Sequence, residues 1–118
     1  AAAYMASKGG VVTISAGNYN SDPGYSSSPN TFVAAATDSG DNKASFSSFG
    51  NYVDITAPGV GIYTTNSGGG YSSVSGTSFS APNTAAVAAL VMAANPALTA
   101  SDVTAVIVQT AQDLGAAT

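Results

Sequence analysis

Three hydroxyl side chains, Thr77, Ser78 and Ser80, stand in the stretch GTSFSAP, directly before a run of alanine and aliphatic residues. A hydroxyl in that place has two uses. Ser and Thr oxygens cap a helix by accepting hydrogen bonds from the free N–H groups of its first turn. A serine there also has the surroundings of a nucleophile, because unpaired backbone N–H groups and the positive end of the helix dipole favour a developing negative charge. A nucleophile further requires a general base to take its proton and fixed donors for the oxyanion that follows. The 118 residues contain no histidine, so an imidazole base has to come from outside them. The hydrolase elbow Gly-x-Ser-x-Gly is not met, since Ser80 occupies the place of its second glycine.

Elements that would position these groups are legible on both sides. VVTIS is β-branched and nearly all apolar, as expected of a parallel strand buried on both faces. It runs into AGNYNSDPG, whose Gly, Asn, Asp and Pro residues make a long irregular loop. Ligands of open α/β sheets bind outside such carboxyl ends of strands. TFVAAATD reads as a second strand, ASFSSFG as a turn and YVDITAPG as a third strand. IYTTN and YSSVSG, on either side of Gly68–Gly70, form a hairpin.

From Thr77 to Asn95 the pattern is helical, and AAVAALVMAA is apolar all round, which predicts a helix buried inside the molecule. Pro82 is tolerable only near its start. Thr99 and Asp102 make a capping box that opens an amphipathic helix through about Gln112. AAAYMASKGG suits the last turns of another helix, stopped by Gly9 or Gly10. The result is an α/β fold with no repeat, linker or second domain. A helix apolar on every side needs more cover than these elements supply, so a partner segment is expected.

Composition narrows the function classes. Charged residues are 7% of the chain, the formal net charge is −4, and Lys8 and Lys43 are the only cations. No basic patch exists to neutralise phosphates, which argues against nucleic acid as a partner. No apolar run reaches the roughly 18 to 20 residues of a membrane span, so no membrane is expected either. With no cysteine, disulfides, thiolate nucleophiles and thiolate zinc sites are all excluded.

Taken in order, SAGN, FVAAATD, FSSFG, DITAPG and SGTSFSAP before a buried helix resemble the subtilisin-like serine protease family, the subtilases. The likeness extends from Lys8 through the last helix. It implies part of a doubly wound, mostly parallel sheet with a buried central helix and a β-hairpin. It also implies that Ser78 is the nucleophile and that Asn18 is the side-chain amide donor of the oxyanion hole. An amide suits that task, offering N–H donors without charge. By itself Asn18 also reads as a turn residue that satisfies its own loop backbone.

In this family the triad's Asp and His precede the SAGN strand, so the chain is expected to be the C-terminal part of a single peptidase domain whose N-terminal half lies elsewhere. Substrate peptides or proteins would pass a pocket walled by Ser15, Ala16 and Gly17. A proteinase-K-like member places a calcium-binding Asp at Asp54, with carbonyls of Pro29 and Thr31, an oxygen set that calcium accepts; a strand-capping Asp54 is the other reading. The chain departs from the family at Asn83, where most members have His. The resemblance points to a secreted, extracellular endopeptidase. The alternative, from a different class, is a non-catalytic remnant or pseudoprotease binding module.

Overall fold

The computed structural model describes residues 1–115. Among them the chain forms α1 (Ala2–Ser7), β1 (Thr13–Ser15), β2 (Phe32–Thr37), β3 (Ile55–Pro58), β4 (Ile62–Thr65), β5 (Tyr71–Val74), α2 (Thr77–Ala94) and α3 (Ala100–Thr110). Strands β1, β2 and β3 lie in that order in one parallel sheet, with Thr13 opposite Phe32 and Ala34 opposite Ile55. β4 and β5 form the separate antiparallel hairpin. This is the expected α/β arrangement.

β2 is buried along its whole length because it has a strand on each side and helices across it. Its side chains alternate between two faces, as a pleated strand requires. Val33 and Ala35 join Ala16 and Tyr52 on one side, while Phe32 joins Ala88, Val103 and Ile107 of the two long helices on the other. Ala34 and Ala36, both 0% exposed, are small enough to let the helix layer approach closely.

Local stop and start signals act as their chemistry predicts. Gly9 ends α1 in the left-handed region, at φ +83°. Thr99 Oγ1 accepts from the Asp102 N–H at 3.2 Å and the Asp102 carboxylate accepts from the Thr99 N–H at 2.9 Å, a complete capping box.

Two expectations need correction, on β1 and on α3, while the expectation that these elements cannot cover α2 is met. Among the described residues β1 is not buried on both faces: it stands at the sheet edge beside β2, and Ile14 is 43% exposed. α2 is covered along one stripe only, Thr77, Ser80, Ala81, Thr84 and Ala88, where it meets the sheet and α3. Its opposite side leaves Leu90 70% exposed. α3 ends at Thr110 and not near Gln112. No helix among the described residues is long and apolar enough to cross a membrane.

Candidate active site

The hairpin delivers the chain to Gly76, and α2 begins one residue later. The three hydroxyls at this helix start meet three different fates. Thr77 and Ser80 are fully buried and Ser78 is exposed. Thr77 Oγ1 donates to Asn18 Oδ1 at 2.9 Å and accepts from the Gly17 N–H at 3.2 Å. Ser80 Oγ donates to the Ala57 carbonyl at 3.0 Å. No side chain caps α2, which corrects the capping reading of these residues. Residues three apart share a helix face, so Thr77 and Ser80 dock the helix onto the ends of β1 and β3. Ser78, about 100° around from Thr77, is left facing outward.

Asn18 lies in the loop leaving β1, and its side-chain oxygen is held by the helix start. Oδ1 accepts from both the Thr77 N–H and the Thr77 hydroxyl, each at 2.9 Å. A backbone N–H can only donate, so the oxygen end of the amide must face Thr77, and Nδ2 is the end left with protons to offer. The residue is exposed, with Nδ2 beside Gly76. Its anchoring is thus tertiary, across to α2, and the bonds that hold its side chain are not to its own loop.

The backbone around Asn18 is held by the segment Lys43–Tyr52. The Gly17 carbonyl accepts from the Ser48 N–H at 2.9 Å, and the Tyr19 N–H donates to Ser48 Oγ at 3.2 Å. Lys43 Nζ donates to Asn20 Oδ1 at 2.9 Å. The Tyr52 hydroxyl donates to the Ala16 carbonyl at 2.7 Å, and burial raises its pKa above the ordinary tyrosine range. Neither Ser48 nor Tyr52 carried a role in the sequence reading, and Thr77 figured there only as a hydroxyl at the helix start. FSSFG was legible only as a turn, because its partners lie roughly 30 residues away in sequence.

Ser15, Ala16 and Gly17 do lie together at the end of β1. Ala16 is buried against Val33, Ala35 and Tyr52. Gly17 has φ +109°, a conformation that favours glycine, and a Cβ there would crowd Ser48 Oγ at 3.2 Å. What this segment offers a ligand is therefore chiefly backbone and the half-buried Ser15.

Asp54, Pro29 and Thr31 line one cleft of about 630 Å³ between the β2 start and α3. Asp54 Oδ2 accepts from the Val33 N–H at 2.8 Å, while the Asp54 N–H donates to the Val33 carbonyl at 3.0 Å. One carboxylate oxygen therefore ties the strand, and a hard cation would draw on the other oxygen together with neighbouring carbonyls. Among the described residues no three His, Cys, Asp or Glu side chains gather as a metal site. Asn83 Nδ2 donates to the Pro58 carbonyl at 3.0 Å, adding a further tie between α2 and β3.

Known proteins share this sequence pattern and fold. The chain is 42% identical over 113 residues to thermitase of Thermoactinomyces vulgaris, covering 94% of this chain and 40% of that protein. It is 39% identical over 118 residues to alkaline elastase YaB of Bacillus sp. (strain YaB), covering 97% of this chain and 31% of that protein. Among solved structures, a cold-adapted subtilisin-like serine proteinase superposes with a TM-score of 0.85 at 33% identity, over 95% of this chain and 42% of that one. The chain thus spans less than half the length of these relatives. The model of the subtilase family matches residues 1–118, and the chain belongs to that family.

Proposed function

We propose that this chain carries the nucleophile half of a secreted serine endopeptidase, with Ser78 as nucleophile and Asn18 as oxyanion-hole donor. The observation that best supports this reading is the paired hydrogen bond from Thr77 to Asn18 Oδ1 at 2.9 Å each, beside the exposed Ser78. That pairing commits one end of the amide and leaves the other for a ligand. Residues 1–118 would be the C-terminal part of one peptidase domain, and the N-terminal half would supply the Asp and His of the triad.

In the reaction, Ser78 Oγ attacks the carbonyl carbon of a peptide bond while the imidazole of the upstream half takes its proton. The carbonyl oxygen becomes an oxyanion and accepts from Asn18 Nδ2 and from the Ser78 backbone N–H. Collapse breaks the C–N bond, and the amine leaves with the proton from the imidazole. Water then attacks the acyl carbon while the imidazole takes its proton, and that proton passes to Ser78 Oγ as the ester bond breaks and the acid leaves. Peptide substrates would run past Ser15, Ala16 and Gly17, whose backbone suits strand-like pairing with main-chain groups. Calcium, if bound, would sit against Asp54 and the carbonyls of Pro29 and Thr31 and act as a structural tie between β2 and β3.

A fluorophosphonate probe tests this directly in the full-length protein. Labelling is expected at Ser78, with Ser78→Ala unlabelled yet folded. An adduct mapped to another serine would overturn the assignment. A folded full-length protein that takes no label would favour the non-catalytic binding module.

A further inference from the structure

We propose that Ser48 is a positioning residue for Asn18, a role that rests on the reading of Asn18 as the oxyanion donor. Ser48 is 2% exposed and reaches the loop on both sides of Asn18. Its N–H donates to the carbonyl of Gly17 at 2.9 Å, and its Oγ accepts the N–H of Tyr19 at 3.2 Å. The two residues that bracket Asn18 are therefore pinned by a single buried side chain and its own amide.

The loop needs such a pin. Asn18 lies outside any regular element, between Gly17 at φ +109° and Asn20 at φ +47°. Neither conformation is held by a helix or a strand ladder. Thr77 fixes the oxygen end of the Asn18 amide, but a side chain tethered at its tip still moves if its backbone shifts. Ser48 closes that freedom. It also packs closely on Gly17, where a Cβ would come within 3.2 Å of Ser48 Oγ. An oxyanion donor acts only when aimed at the place where charge develops, and a small misplacement lowers rate without weakening ground-state binding.

Steady-state kinetics on the full-length protease with a peptide substrate test this. Ser48→Ala keeps the main-chain bond to Gly17 and loses the one to Tyr19. A fall in kcat of about three- to tenfold is expected, the range for loss of one hydrogen bond, with KM within about twofold. In an Asn18→Ala background the same change should have no further effect. Ser48→Cys, which keeps the volume but accepts poorly, should repeat the pattern if alanine compromises folding. Equal losses in both backgrounds, or a change in KM alone, would show that Ser48 only supports the fold. Hydrogen exchange supplies a readout apart from activity. The Tyr19 amide should exchange at least about tenfold faster in Ser48→Ala while α2 amides stay protected, and unchanged Tyr19 exchange would overturn the pin. A parent protein that hydrolyses nothing would refute the protease reading, and Tyr19 exchange would still decide whether Ser48 holds the loop.

Discussion

In the proposed site, Asn18 divides its amide between two tasks. Its oxygen is committed to Thr77, whose N–H and hydroxyl both point at it. This rigidity matters because a preorganised donor needs no rearrangement when charge develops on the substrate. Asn18→Ala should therefore lower kcat by about 10²–10³, a magnitude carried over from subtilisin's own oxyanion-hole asparagine, with little change in KM. Stopped-flow or steady-state assays of the full-length protease would measure it. Asn18→Asp should be no better: its carboxylate can still accept from Thr77 but presents negative charge, not a donor, to the oxyanion. A variant with unaltered kcat would remove Asn18 from the reaction.

The helix α2 is set on the sheet by close contact more than by bulky side chains. Gly59 is where this is tightest, since a Cβ there would fall 2.6 Å from Ala36 Cβ and 3.0 Å from the Gly76 carbonyl oxygen. Gly59→Ala must push the β3 end away from the helix start, at a cost of about 1–3 kcal/mol. Chemical denaturation would register this as a lower midpoint, and activity should fall too because Gly76 adjoins the site. In α3, Thr99 lowers the Asp102 pKa from 3.8, by its hydroxyl first and its backbone N–H second. A depressed folded-state pKa contributes stability that is present above the unfolded value and is lost as pH falls through the folded one. The parent should accordingly lose more thermal stability than Asp102→Asn between about pH 5 and pH 2. Parallel melting curves of the two proteins across that window would contradict the capping box as a source of stability.

At the scale of the whole molecule, the described residues leave much apolar surface uncovered. Leu90 is 70% exposed, Val87 46% and Ile14 43%, on one face of α2 and at the β1 edge. Each hundred Å² of such surface left in water forgoes about 2.5 kcal/mol, a sizeable part of the roughly 5–15 kcal/mol that holds a domain together. The chain expressed alone should therefore associate or unfold without a sharp transition. Adding the proposed N-terminal half in trans should give a cooperative, soluble complex with proteolytic activity. Leu90→Lys is the discriminating variant, expected to improve the solubility of the lone chain and to block the complex. A monomeric gel-filtration profile with a sharp melt for the lone parent chain would show that this surface needs no partner.

Much was determined by sequence alone, because it depends on local chemistry. Gly9 stops α1, Thr99 and Asp102 start α3, and the glycine run Gly68–Gly70 turns the hairpin, each through conformational or hydrogen-bonding preferences of residues close in the chain. The order of SAGN, DITAPG and SGTSFSAP was sufficient to point to the family. Burial was not legible in the same way. A β-branched β1 reads as enclosed, and an all-apolar α2 as needing cover on every side, yet composition states what a segment tolerates, while the neighbours it has are set by tertiary packing. The partners of Thr77 and Ser80 were likewise hidden, since hydroxyls so close in the chain look alike until the helix turns two of them onto β1 and β3. Ser48 and Tyr52 are the clearest case. Their partners, Tyr19 and Ala16, are separated from them by 29 and 36 positions, and only the packing of the 43–52 segment against the β1 end brings them together.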